Sequence, residues 1–182
     1  MLDCAGQILI LTGSPGSGKT TAARVLARLP GSNKVHLHAD DFWHAIGHGA
    51  LAPFRPEAHA QNAVVMEALA AAAQAYASGG YFVVVDGIIG PWFLAPFGRE
   101  GAAVHYVVLQ PSLNEAIRRC GARGGDELTD PQVIATLHGQ LADLGELAHH
   151  ALPTAGLDVD GVVAAVVQAV ESERFRLARV AG

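Results

Sequence analysis

The sequence predicts an α/β fold of three layers, with a parallel sheet between two sets of helices. Three observations point there. Apolar strand-like runs alternate with helix-like stretches along the chain, the order produced when parallel strands are joined by crossover helices. Tyr81-Phe82-Val83-Val84-Val85-Asp86-Gly87 is an unbroken, β-branched run of the kind that fills a central strand buried on both faces. Gly13-Ser14-Pro15-Gly16-Ser17-Gly18-Lys19-Thr20 fits G-x-x-x-x-G-K-S/T, with the apolar run Ile8 to Leu11 before it and a helical pattern, Thr21 to Leu29, after it.

The elements follow in order. Pro30 to Asn33 breaks the first helix, and Lys34 to Asp41 alternates as a second strand ending in two carboxylates, Asp40 and Asp41. A short helix is expected from Phe42 to about His48, followed by an irregular stretch containing Gly47, Gly49, Pro53 and Pro56. A long alanine-rich helix runs from about Pro56 to Ala77 and stops at Ser78-Gly79-Gly80. After the Tyr81–Gly87 strand, a fourth covers about Val104 to Leu109, and Ser112 with Glu115 forms a capping box that opens a helix to about Cys120. Gly121 to Asp130 is rich in glycine and charge. Thr129-Asp130-Pro131 starts a helix of about 15 residues, a short strand lies near Leu152, and a last helix begins near Val159 with Val162, Val163, Val166, Val167 and Val170 inward.

The 182 residues suit a single domain, 1–182, without a linker or internal repeat. Net charge is −5 and the basic residues are scattered, which argues against a nucleic-acid groove. Cys4 and Cys120 match no metal spacing, and no targeting pattern opens the chain, so a reducing, cytoplasmic setting is expected. No run reaches the length of a membrane span, and no membrane partner is expected.

The glycine-rich motif is a phosphate-binding P-loop. Its glycines let successive amide N–H groups turn inward at the start of a helix, whose positive end adds to the attraction. Lys19 brings a mobile ammonium to the β- and γ-phosphates, and the Thr20 hydroxyl completes a Mg²⁺ coordination shell. With only two lysines against ten arginines, the chain still places a lysine where a compact cation is wanted. The nucleotide-binding set is Gly13, Ser14, Pro15, Gly16, Ser17, Gly18, Lys19, Thr20 and Thr21, and the cofactors are ATP and Mg²⁺. In a sheet of this kind, ligands sit at the carboxyl ends of the strands, so the P-loop, Asp40, Asp41 and Asp86 share one crevice.

GSPGSGKT, HADDFW, VVVDG and RRCGARGGD together resemble the small P-loop kinases, the group of gluconate kinase, shikimate kinase, chloramphenicol phosphotransferase and the zeta toxins. The likeness covers the chain in element order and implies a five-stranded parallel sheet of order 2-3-1-4-5 with a small helical lid, here about residues 118–130. It places Asp40 where such kinases keep the acid that takes or orients the acceptor's proton, with Asp41 beside it; one of the pair is free to cap the next helix instead. Asp86 resembles the acid that holds Mg²⁺, and Asp-Gly is also a common turn pair. Arg119 and Arg123, four apart, resemble lid arginines that clamp phosphates, although cations also favour a helix end. The adenine is expected between the lid helix and the loop Thr154 to Asp158.

The acceptor pocket is expected among Phe42, Trp43, His44, Arg55, Ile88, Ile89 and Trp92, with Trp43 and Arg55 as substrate contacts beside Asp40 and Asp41. His36, His38 and Asp40 share a strand face, and His44 and His48 are four apart, but they match no catalytic zinc pattern and read as core or pocket histidines. The expectation is an ATP- and Mg²⁺-dependent kinase acting on a hydroxyl of a small molecule, as monomer or homodimer. The alternative is an ATP-driven regulatory switch without a small-molecule acceptor.

Overall fold

A computed structural model describes residues 2–99, 101–123 and 129–178. Five parallel strands, β1 (Gln7–Gly13), β2 (Lys34–His38), β3 (Phe82–Gly87), β4 (Ala103–Gln110) and β5 (Ala151–Pro153), form one sheet of order β2-β3-β1-β4-β5. The order expected from the family resemblance is the one found. Among the described residues six α-helices connect and flank the strands: α1 (Lys19–Leu26), α2 (Ala39–His44), α3 (His59–Ser78), α4 (Leu113–Arg123), α5 (Pro131–Ala142) and α6 (Val159–Glu171).

The two-residue period of a strand divides the apolar runs between the faces. Ile8 and Ile10, Val83 and Val85, and Val104, Tyr106 and Val108 face the core under α3 and the end of α5. Leu9 and Leu11, Phe82 and Val84, and Val107 and Leu109 pack in the opposite core with α1 and α6. Both cores are sealed, with all of β3 buried. Each such side chain contributes about 1.5–3 kcal/mol by leaving water.

Several boundaries move. β2 ends at His38, and Asp40 and Asp41 lie in the first turn of α2 rather than at a strand end. Carboxylates there meet the positive end of the helix, and Ala39 is fully buried, so the chain turns earlier than alternation suggests. α2 consequently stops at His44, short of His48. A 3-10 turn, Pro56–Ala58, precedes α3, whose Val64 is 69% exposed despite its place in the apolar pattern. The Ser112–Glu115 capping box forms as expected, with Glu115 N donating to Ser112 Oγ and Ser112 N donating to Glu115 Oε2. Its helix continues to Arg123. Asp130 caps α5 by accepting from Gln132 N, and α5 runs for 12 residues.

β5 reaches only the carboxyl half of β4. Beside the other half lies the segment after α6, where Tyr106 N donates to Phe175 O and Leu177 N donates to Val104 O. An edge that would otherwise present unpaired backbone is thereby covered.

Candidate functional site

The P-loop leaves β1 at Gly13, and its glycines answer to distinct constraints. A Cβ at Gly13 would lie 2.7 Å from Ser17 Oγ and 2.8 Å from Leu109 O, so the loop can fold over β4 only without a side chain there. Gly18 caps α1 in the left-handed region (φ 86°), where a side chain is strained although nothing crowds it. Gly16 is held against α4, its Cβ position 2.3 Å from Ala116 O. The nucleotide loop is thus packed directly on the helix that opens the expected lid.

Lys19 Nζ donates to Ser14 O at 3.4 Å, which brings the ammonium back over the loop. The hydroxyls of Ser14 and Ser17 are buried and have no partner among the described residues. Buried orphan hydroxyls inside a cradle of backbone amides fit a loop shaped for phosphate oxygens. Thr21, the third residue of α1, is exposed.

Asp86 is the centre of the site. It is fully buried, yet three donors converge on its carboxylate: Thr20 Oγ1 on Oδ2 at 2.5 Å, and His36 Nε2 and His38 Nδ1 on Oδ1 at 2.6 and 3.0 Å. The parallel register explains the geometry, because His38 lies opposite Asp86 and His36 is two residues back on the same face. Burial alone would raise the Asp86 pKa, but the hydrogen bonds from His36, His38 and Thr20 outweigh it and hold the carboxyl far below its usual range.

His38 also reaches α2, with Nε2 3.4 Å from Asp40 Oδ2. Hydrogen bonds to Asp40 and then Asp86 push the His38 pKa up to about 10, against the opposing effect of burial. The same contact lowers Asp40, whose side chain is 57% exposed. A chain of contacts therefore runs from the P-loop through Thr20, Asp86 and His38 to Asp40. Asp41 is exposed beside it. Among the described residues, no group of three or more His, Cys, Asp and Glu is arranged to hold a metal ion.

Arg119 reaches across the loop. Its guanidinium makes long contacts with Gly16 O (3.5 Å) and Leu157 O (3.4 Å), and lies 3.8 Å from Glu115. Glu115 Oε1 accepts from Gly156 N, so α4 touches both the P-loop and the loop after β5. The side chain of Arg123, and residues 124–128 of the expected lid, lie outside the described residues.

The expected acceptor contacts are spread more widely. Trp43 donates its indole N–H to Asn62 Oδ1 at 2.8 Å and packs on the core. Arg55 is exposed, Trp92 is 51% exposed, and Ile89 is fully buried. The sequence reading missed the residues that fix this region. Asn62, 6% exposed, also donates to Pro53 O at 2.7 Å, while Gln61 pairs with both N and O of Leu51 at 2.8 Å. Thr12 Oγ1 accepts from Ile89 N and Tyr106 OH donates to Ile89 O, both at 2.9 Å, pinning the chain that leaves β3. Two adjacent polar residues near the start of an alanine-rich helix were the available signal for the first pair.

Residues 9–133, more than half the chain, match the AAA domain family. The chain belongs to that family. No curated protein matches the sequence. Among solved structures, the AAA domain fold here is similar to the tunicamycin resistance protein of Deinococcus radiodurans (TM-score 0.68, 21% identity, covering 90% of this chain and 95% of that one). It is also similar to shikimate kinase from Acinetobacter baumannii (TM-score 0.64, 22% identity, covering 92% and 94%). A chain of the Pnkp1/Rnl/Hen1 RNA repair complex matches 77% of this chain at 26% identity and TM-score 0.60, and the present chain spans 45% of its length. These likenesses bear out the small P-loop kinase resemblance as a matter of fold. No helix among the described residues is long and apolar enough to cross a membrane.

Proposed function

We propose that the chain is an ATP- and Mg²⁺-dependent kinase that transfers the γ-phosphoryl group to a hydroxyl of a small molecule, a sugar acid, metabolite or antibiotic. The observation that carries this reading is the continuous contact chain from Thr20 through Asp86 and His38 to Asp40. It links the nucleotide loop to an exposed acid on the side where an acceptor can enter.

Thr20 and Asp86 are the residues that would hold Mg²⁺, since a hydroxyl oxygen and a carboxylate kept ionised are hard donors suited to it. When bound, the ion neutralises charge on the phosphoryl oxygens. The backbone N–H groups of Gly13 to Thr20, Pro15 apart, cradle the phosphates, with Thr21 beyond them. Lys19 supplies a cation at their outer end, and Arg119 adds a second from α4 with Arg123 beyond it. Asp40 accepts a hydrogen bond from the acceptor hydroxyl and takes its proton as transfer proceeds, while His38 holds the carboxylate in place. Asp41, Trp43 and Arg55 contribute to the acceptor side. The work of the protein is mainly positioning and charge stabilisation.

The test is release of ADP from Mg·ATP across a panel of sugars, sugar acids, nucleosides and hydroxylated antibiotics, with Lys19→Ala as the blank. Acceptor-stimulated, Lys19-dependent release is expected. Nucleotide binding without stimulation by any acceptor would favour the regulatory switch instead.

A further inference from the structure

The donors on Asp86 are shared unevenly between its two oxygens. An ionised carboxylate offers about four lone pairs, two on each oxygen. His36 Nε2 at 2.6 Å and His38 Nδ1 at 3.0 Å both donate to Oδ1 and fill it. Thr20 Oγ1 donates to Oδ2 at 2.5 Å. Among the described residues, this leaves one lone pair open, on the oxygen that meets the P-loop threonine.

The sheet, not the loop, sets this pattern. His38 is the register partner of Asp86 across β2 and β3, and His36 precedes it by two residues on the same face. One donor would already keep Oδ1 from being buried without a partner. The second closes it. These two ring nitrogens cannot also hold an ion, because a nitrogen that carries a proton has no lone pair to give. His36 and His38 therefore act on a cation only through Asp86. Aspartate χ2 is a broad torsion, and an unrestrained carboxylate is free to turn both oxygens toward an ion. Here that rotation would break two hydrogen bonds at Oδ1.

We infer, resting on the proposed Mg²⁺ site at Thr20 and Asp86, that His36 and His38 are positioning residues that close Oδ1, make Asp86 a single-oxygen ligand and so select Mg²⁺ over Ca²⁺. Mg²⁺ demands a small octahedral shell and is held through one or two carboxylates together with phosphate oxygens. Ca²⁺ takes about six to eight oxygens, often both from one carboxylate. Closing Oδ1 withholds the second contact that the larger ion uses. The choice of cation is thus made from edge strand β2, outside the P-loop.

The experiment measures binding of a fluorescent, non-hydrolysable ATP analogue in excess Mg²⁺, in excess Ca²⁺ and in EDTA, with no acceptor present. The gain in affinity over EDTA is the contribution of each ion. The parent chain should gain more from Mg²⁺ than from Ca²⁺. His36→Leu removes a donor from Oδ1 and should lower the gain from Mg²⁺ on the order of tenfold, while the gain from Ca²⁺ holds or rises. Affinity in EDTA should stay near the parent value, since a merely structural defect would weaken binding in all three buffers alike. His36→Gln, whose amide N–H stands in for Nε2–H, should restore the preference. A parent chain that gained as much from Ca²⁺ as from Mg²⁺ would overturn the assignment whatever the variants did. So would an unchanged ratio of the two gains in His36→Leu, or a shifted ratio that His36→Gln failed to restore. Acceptor-stimulated ADP release with an unchanged ratio would leave the kinase reading standing and remove the role of the histidines. A shifted and restored ratio with no active acceptor would support that role and count against the kinase reading.

Discussion

The P-loop and the loop before α3, which we propose faces the acceptor, are built in different ways. Thr12 to Ser17 are buried, and the loop they form is shaped by backbone, with Gly13 and Gly16 pressed against Leu109 O and Ala116 O. In the loop before α3, Phe54 is 69% exposed and Arg55 is exposed. Their loop hangs from the side chains of Gln61 and Asn62. A phosphate is the same in every nucleotide and can be met by fixed amides. An acceptor varies, and side chains on a loop can change without disturbing the sheet.

The largest effect expected from this contrast is at Lys19. Lys19→Ala should lower kcat/KM by on the order of 10³-fold, because one preorganised cation at the phosphates is lost. The melting temperature should stay near that of the parent chain. Steady-state kinetics and calorimetry on the same preparation check both. A loss of folding as well as activity would break the distinction between a backbone cradle and the groups it carries.

Asp40 should give the next largest effect. Asp40→Asn keeps the shape but removes the proposed base, so kcat should fall by about 10²-fold while the Kd for nucleotide is unchanged. Full transfer to an acceptor by Asp40→Asn would remove this residue from the chemistry and leave Asp41 to be tested.

What could be read from the sequence follows the same division. The P-loop is contiguous, so its residue types and spacing specify it. Asp86 could be picked out as the acid at the end of an apolar run, but its two histidine partners depend on the register of β2 against β3, which no local pattern contains. His36 and His38 therefore read only as core or pocket histidines and turn out to be donors to one carboxylate. The two acids after β2 were found, although their helix begins earlier than expected because the burial of Ala39 depends on tertiary packing. Asn62 was the hardest to see. Its importance comes from joining Trp43 to Pro53, residues that meet only when α3 lies across both.

Asn62 sharpens the comparison with a smaller effect. Asn62→Leu leaves the indole N–H of Trp43 and Pro53 O without their partner, and should cost about 2 kcal/mol in stability by denaturant unfolding. If the loop serves the acceptor, KM for the acceptor should rise with kcat for basal ATP hydrolysis unchanged. An unchanged acceptor KM would show that Phe54 and Arg55 lie outside the site.

The smallest expected effects concern pH, and they separate the site from the far end of β4. In the protein free of nucleotide and divalent cation, His38 is charged in the fold to about pH 10, through Asp40 and Asp86. Its pKa is raised, so the stabilisation is complete below the ordinary histidine pKa of about 6.5 and fades as pH climbs from there toward 10. His105 and His150 behave oppositely. Both are buried, and desolvation lowers their pKa values; Glu173 raises and Arg176 lowers that of His105, while His149 adds to the lowering at His150. Burial favours the neutral ring at both, and at His150 it outweighs the hydrogen bonds to Tyr106 O and Phe175 O, which favour the charged form. The unfolded chain binds more protons at these two positions, and stability should decline as pH drops below about 6.5. Melting temperatures across pH 4.5 to 10 should therefore fall on both sides of neutrality. His38→Gln should flatten the alkaline limb and leave the acid limb in place, whereas His105→Gln should soften only the acid limb. If His38→Gln changed the acid limb instead, the contacts joining Asp86 to Asp40 would not carry the charge that this geometry gives them.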